Sequence, residues 1–243
     1  MKGAVKHGIS YNGSLGGTRV TMIRTHIGTP ATSVIMETLA RIKPEIIIRM
    51  DYAGSLVKEI PVGSSCVVSG AIAGDGTSLH YLYARDKARD QFTRISTKES
   101  HQQATRRQIG EQVDPIMEAY PVDLDGCALP CDGTLHDLAH EQALKIGMDL
   151  HDTITWTTDA LFLETPEKVN AWRSHGANCV DMETSLIYLL AREHGMKAIA
   201  LHVISDNLIT EKAFYKLDRI NPALEPGLER TLSLLEGLVG RLD

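Results

Sequence analysis

Apolar positions change their period along the chain. Ala31, Val34, Ile35, Leu39 and Ile42 recur at the spacing of one helix face. Thr29 is a capping residue for that helix. Pro30 suits its first position, where the missing N–H would be unpaired anyway. Residues 45–50 (EIIIRM) are nearly all apolar, as a strand covered on both faces requires, and lead into a polar stretch from Asp51 to Ser55. Residues 65–73 (SCVVSGAIA) and 151–157 (HDTITWT) read as further strands, and residues 135–146 as a helix. Thr165 and Pro166 open another helix, and a closing helix over 226–242 gathers Leu228, Leu232, Leu235 and Leu238 on one side. At the start, Gly16-Gly17 marks a hairpin turn before a strand over 18–26.

The densest apolar stretch runs from Asn178 to Asn207. It predicts a short strand, a turn carrying Asp181-Met182-Glu183, a buried helix, and a second strand ending in Ser205-Asp206-Asn207. Glu183 and Asp206 therefore fall at the ends of buried elements, where the loops of α/β sheets form sites. Strands alternating with helices, without repeat or linker, predict one α/β domain over residues 1–243. Between about 81 and 130 the pattern turns polar and weakly amphipathic, which reads as an inserted surface segment.

Composition narrows the partners. A net charge of −6 with only small basic clusters argues against nucleic acid. No apolar run reaches membrane-spanning length and MKGAVKHG is no signal peptide, so the expectation is no membrane partner and a cytoplasmic location. Cys66, Cys127, Cys131 and Cys179 are then expected to be reduced. Cys127, Cys131, His136 and His140 form C-x3-C-x4-H-x3-H, all of them zinc-ligand types. The gap between the two pairs is much shorter than in zinc fingers. The plainer reading is small buried cysteines and surface histidines, with no metal.

Six segments, in order, resemble the nucleoside phosphorylase family: GTPATSVIMETL (28–39), IIIRMDYAGSL (46–56), VGSSCVVSGAIAGDGTSLHY (62–81), TTDALFLETPE (157–167), VDMETSLIYLLAREHG (180–195) and VISDN (203–207). The resemblance implies a three-layer α/β/α fold whose central mixed sheet curls into a partial barrel. It implies phosphorolysis or hydrolysis of a nucleoside, no cofactor, and a homo-oligomer (a dimer or ring of dimers) with sites completed by a neighbour. Carried over residue by residue, Glu183 is the carboxylate holding the ribose hydroxyls, with Asp181 beside it and Met182 under the sugar. Asp206 is the acid of the purine branch, meeting N7 so that the base leaves neutral. The arginine and the Gln/Arg pair of the pyrimidine branch are not matched, which favours purine. Phe162 lies near the base-stacking aromatic, one position out of register. Lys6 and His7 fall where the family sends basic residues into the neighbouring site. Taken singly, these residues also read as helix caps (Asp181, Glu183), a turn (Asp206), core (Met182, Phe162) and a solvated terminus (Lys6, His7).

Two departures concern the acceptor. The family's opening strand with its Gly-Asp-Pro-x-Arg phosphate loop is not matched in this sequence. Arg49 of the IIIR strand is kept, but Met50-Asp51-Tyr52 replace the Gly and hydroxyl residue that bind phosphate. Asp51 would repel the anion and Tyr52 would fill its space. The expectation is water as acceptor, a nucleosidase, with Asp51 activating the water. A phosphate-dependent purine nucleoside phosphorylase and a non-catalytic nucleoside-binding member are the alternatives.

Overall fold

The structure is a computed structural model that describes residues 1–82, 128–211, 213–216 and 219–242. Most of the surface segment expected at 81–130, Cys127 included, lies outside the described residues. Strands β4 (Ile46–Ser55), β5 (Ser65–Ala73), β6 (Leu129–Pro130), β7 (His151–Thr157), β8 (Cys179–Asp181) and β9 (Lys197–Asn207) form one mixed sheet in the order β6-β5-β7-β8-β4-β9. An additional pairing of β5 with β9 closes five of them into a ring. Within it β5–β7, β7–β8 and β4–β9 are parallel, whereas β4–β8 and β5–β9 are antiparallel. This is the α/β fold and curled mixed sheet that the sequence implied.

Alternation along the strands assigns the layers. Val68 of β5 and Ala198 and Ala200 of β9 pack with Met36 of helix α1 (Thr29–Ile42) and with Leu186 to Ala191 of helix α4 (Thr184–Glu193). Their sequence neighbours Val67, Ile199 and Leu201 pack the opposite way. They meet Leu135 and Ala139 of helix α2 (Gly133–Lys145) and Leu234 and Leu238 of helix α5 (Leu224–Val239). Helix α3 (Pro166–Ser174) covers the end of the sheet through Val169 and Trp172, the latter stacked on Trp156 of β7. Tyr188 of α4 ties two strands together, donating its hydroxyl to Val68 (2.7 Å) and accepting the Ala200 N–H (2.9 Å).

Two expectations change. The strand expected over 45–50 runs on through the polar stretch to Ser55, because Asp51 to Ser55 keep the parallel ladder with His202 to Asn207. The N-terminal residues hold two further strands, β1 (Lys2–His7) and β2 (Ser10–Leu15). With β3 (Thr18–Ile23) they make a separate antiparallel sheet. It touches the body where Thr18 donates to the Val239 carbonyl of α5 (3.1 Å). Among the described residues no helix is long and apolar enough to cross a membrane.

Candidate active site

The chemistry gathers where β4, β8 and β9 bring their polar residues together. Gly28 is the residue before α1, at φ 96°, a conformation glycine adopts without strain. Gly28, not Thr29, therefore caps α1, and its N–H donates to Glu183 Oε1 at 2.6 Å. The Thr29 hydroxyl instead donates to Asp159 (3.1 Å). Glu183 stands at the N-cap position of α4, but its side chain makes no capping hydrogen bond. Its second oxygen accepts from Arg49 Nη2 at 2.5 Å. The capping carboxylate is Asp181, which accepts from the Thr184 N–H (2.9 Å), the Thr184 hydroxyl and the Thr157 hydroxyl (2.7 Å). The two acids of the Asp-Met-Glu turn thus divide their work: Asp181 builds the turn, and Glu183 faces the strand.

Arg49 is the hub. Buried in β4, its guanidinium also lies 3.0 Å from Asp51 and 3.5 Å from Asp181. Burial works against its charge, but the three carboxylates outweigh it and its pKa is raised. Burial likewise opposes the charge on Asp181, yet Arg49, His202 and the hydrogen bonds hold that group below its ordinary range. Burial raises Glu183, with Arg49 opposing. Asp51 keeps 43% of its side chain exposed and receives the Tyr52 N–H (2.8 Å). Tyr52 is exposed and Met182 half-buried. His202, paired in register with Asp51, is fully buried. Burial pushes it down to about 4, so it is a neutral imidazole at neutral pH.

A second group sits at the end of β9. Asp206 is buried and accepts the Ser205 hydroxyl at 2.7 Å. Its register partner is Gly54, where a Cβ would stand 3.0 Å from Val180 and 3.6 Å from the Asp206 carboxylate. Only the missing side chain keeps that approach open. Asn207 is structural, donating to Val57 and Ile60 and accepting from Ile209 and Thr210. Phe162 is exposed, and its ring meets the edge of Tyr215 at 5.0 Å, so it is no core residue. Asp51 and Gly54 are three residues apart on β4, which separates the Arg49 hub from the Asp206 group by about 10 Å.

Glu164 was not singled out from the sequence, where it reads as a residue before a helix cap. Burial, and then the charge of Asp206, push its pKa up to about 8, with Lys216 opposing. A carboxyl with an ordinary pKa of 4.5 that rises on folding keeps a proton which the unfolded chain releases. Each step of pH between those values therefore weakens the fold. Relative to the natural chain, Glu164→Gln is expected to gain in Tm progressively from pH 4 to pH 8 and to level off above. A pH series of thermal melts checks this, and a constant difference across the series refutes it.

Other candidates lie elsewhere. Lys6 and His7 are exposed on β1, in the separate sheet. Of the Cys/His quartet, Cys127 lies outside the described residues, and Cys131, His136 and His140 are the members the structure describes. His136 and His140 turn toward Asp152, and burial pushes the half-buried Cys131 thiol up to about 11, which suits an inert thiol rather than a thiolate ligand.

A model of the phosphorylase superfamily matches residues 4–236. Guanosine phosphorylase of Halorubrum lacusprofundi is 25% identical over 226 residues, 92% of this chain and 76% of that protein. A DeoD-type purine nucleoside phosphorylase of Streptococcus uberis is 23% identical over 201 residues, 82% of this chain and 68% of that protein. Among solved structures, purine nucleoside phosphorylase from Toxoplasma gondii in complex with immucillin-H superposes with a TM-score of 0.71 at 17% identity, covering 98% of this chain and 82% of its own. A futalosine hydrolase mutant of Helicobacter pylori strain 26695 does so with a TM-score of 0.68 at 17% identity, covering 98% and 89%. At those identities the solved structures establish a shared fold.

Proposed function

This chain belongs to the phosphorylase superfamily, and from that premise we propose that it cleaves the N-glycosidic bond of a purine nucleoside, or a related nucleotide, with water as acceptor. Glu183 holds the ribose hydroxyls. A carboxylate offers about four lone-pair positions. Gly28 and Arg49 take one on each oxygen, which leaves the others for two hydroxyls. Its charge then faces the positive charge that grows on the sugar as the bond to the base breaks. Met182 lies against the sugar, and Phe162 and Tyr52 border the base and acceptor sides. Asp206, charged in the free protein, takes up a proton when the nucleoside binds and passes it to the purine N7, so that the base leaves neutral.

The acceptor is argued from the neighbours of Arg49. That one cation is already engaged by Asp51, Asp181 and Glu183, so the group has one formal positive charge and three negative. A phosphate dianion needs several unengaged donors to offset its lost hydration, and here it would meet carboxylates instead. Water suffers no such repulsion. The exposed part of Asp51 holds it and takes its proton as the sugar is attacked.

Base release is therefore expected to proceed in phosphate-free buffer, with at most a few-fold response to added phosphate. Asp51→Asn is expected to lower kcat by about 10²–10⁴, the usual contribution of a positioned base. Chromatography of the free base reads both, and strict dependence on phosphate would sink the water reading. Phosphorolysis is kept as the second reading because the guanosine phosphorylase of Halorubrum lacusprofundi aligns with 92% of this chain. In either reading the chain works as a homo-oligomer, with Lys6 and His7 reaching the neighbour's site. A monomeric mass by light scattering at assay concentration would remove that part.

A further inference from the structure

His136 and His140 are four residues apart on α2, so their side chains project from the same face of the helix. Opposite them stands Asp152, the second residue of β7. His136 Nε2 lies 2.5 Å from Asp152 Oδ1, and His140 Nε2 lies 3.2 Å from the same oxygen and 3.1 Å from Oδ2. The two rings are 4.7 Å apart. Nothing in the nucleoside chemistry uses these groups. We infer that His136, His140 and Asp152 form a binding site for one divalent transition-metal ion of the zinc type, held by two imidazole nitrogens and one carboxylate.

The donor set fits such an ion. Imidazole and carboxylate are zinc ligands at about 2.0–2.2 Å, and ligand atoms around a tetrahedral ion at that distance stand about 3.3 Å from one another. The three ligand atoms here already lie within 4.8 Å of each other, so small rotamer changes seat the ion. The parts are held in place before any ion arrives. Asp132 caps α2 by accepting the Leu135 N–H, and Leu135 and Ala139 anchor the helix in the core. Asn178 fixes the start of β7, donating to the Asp152 carbonyl (3.4 Å) and accepting the Ile154 N–H (2.8 Å). The histidine side chains are 23% and 32% exposed and that of Asp152 53%, which leaves room for water as the fourth ligand.

The ion's role is structural. Asp152 stands at the opposite end of β7 from Thr157, the residue that meets Asp181, and the two are five positions apart along the strand, about 16 Å. A metal here pins α2 to the start of β7 and takes no part in bond cleavage.

The test uses the full chain without a purification tag, stripped with a chelator and titrated with Zn²⁺ in a calorimeter. One ion per chain is expected, with binding weakened at least tenfold by His136→Ala and by His140→Ala. Zinc should raise the Tm of the natural chain and leave that of the double variant unchanged. Co²⁺ in place of Zn²⁺ should give visible bands of a nitrogen and oxygen ligand set. A thiolate charge-transfer band, uptake that survives the double substitution, or no saturable uptake would each overturn the site. If a histidine variant fails to fold, Asp152→Asn keeps the side chain's shape and is expected to show the same weakening. None of these readings depends on nucleoside cleavage.

Discussion

Glu183→Gln is expected to lower kcat/KM for a purine nucleoside by about 10²–10³-fold while the chain remains folded. The carboxylate is buried between the Gly28 N–H and the Arg49 guanidinium, so it cannot rotate away or gather solvent. An amide at the same place accepts through one atom only. Turned toward Arg49, it sets its NH₂ against the Gly28 N–H; turned the other way, it sets it against the guanidinium. It also removes the one negative charge aimed at the sugar. Arg49 keeps Asp51 and Asp181, so it is not left unpaired, and the loss of stability stays near 1–3 kcal/mol. Steady-state kinetics beside thermal melts separate the two effects. Activity within a few-fold of the natural chain would mean that Glu183 serves only to hold Arg49.

The contrast between Glu183 and Asp181 bears on what the sequence reveals. Both stand before a helix and either reads as a cap. Their order among the family-like segments pointed to Glu183, and the structure divides the two by their partners, Asp181 with Thr184 and Glu183 with Gly28 and Arg49. That last pairing joins residues 134 apart in the chain, which no local period can express. The same limit explains β4. Asp51 to Ser55 are polar or small and fall beyond the apolar run that marks the strand, yet the ladder with β9 supplies their backbone partners whatever their side chains are. It also explains β1 and β2, whose sparse apolar residues carry no two-residue period and which become strands by pairing in turn with β3. Helices α1 and α3 and strand β7 were legible because their apolar spacing or their Thr-Pro starts are local features. Glu164 was not legible, because its environment is made by burial and by Asp206, 42 positions later in the sequence.

Asp206→Asn carries the other large effect, and its substrate dependence matters more than its size. For an ordinary purine nucleoside, removal of the acid is expected to cost about 10²–10⁴-fold in kcat. Asn207 and the loops it pins are untouched, so the end of β9 should hold its shape. The Ser205 hydroxyl can still donate to the amide oxygen, as it does to the carboxylate. A nucleoside already methylated at N7 carries its positive charge in the base and leaves as a neutral species with no proton added. On that substrate Asp206→Asn should keep activity within about tenfold of the natural chain, so the ratio of methylated to unmethylated kcat/KM rises by a factor of ten or more. Asp206 is also the second cause, after burial, of the raised pKa of Glu164. Its neutral replacement should bring Glu164 back toward the ordinary carboxyl range, and the growth with pH of the Glu164→Gln stabilisation should then be complete at a lower pH. Equal losses on both nucleosides would mean that Asp206 binds the base without protonating it, and the leaving group would then need another source for its proton.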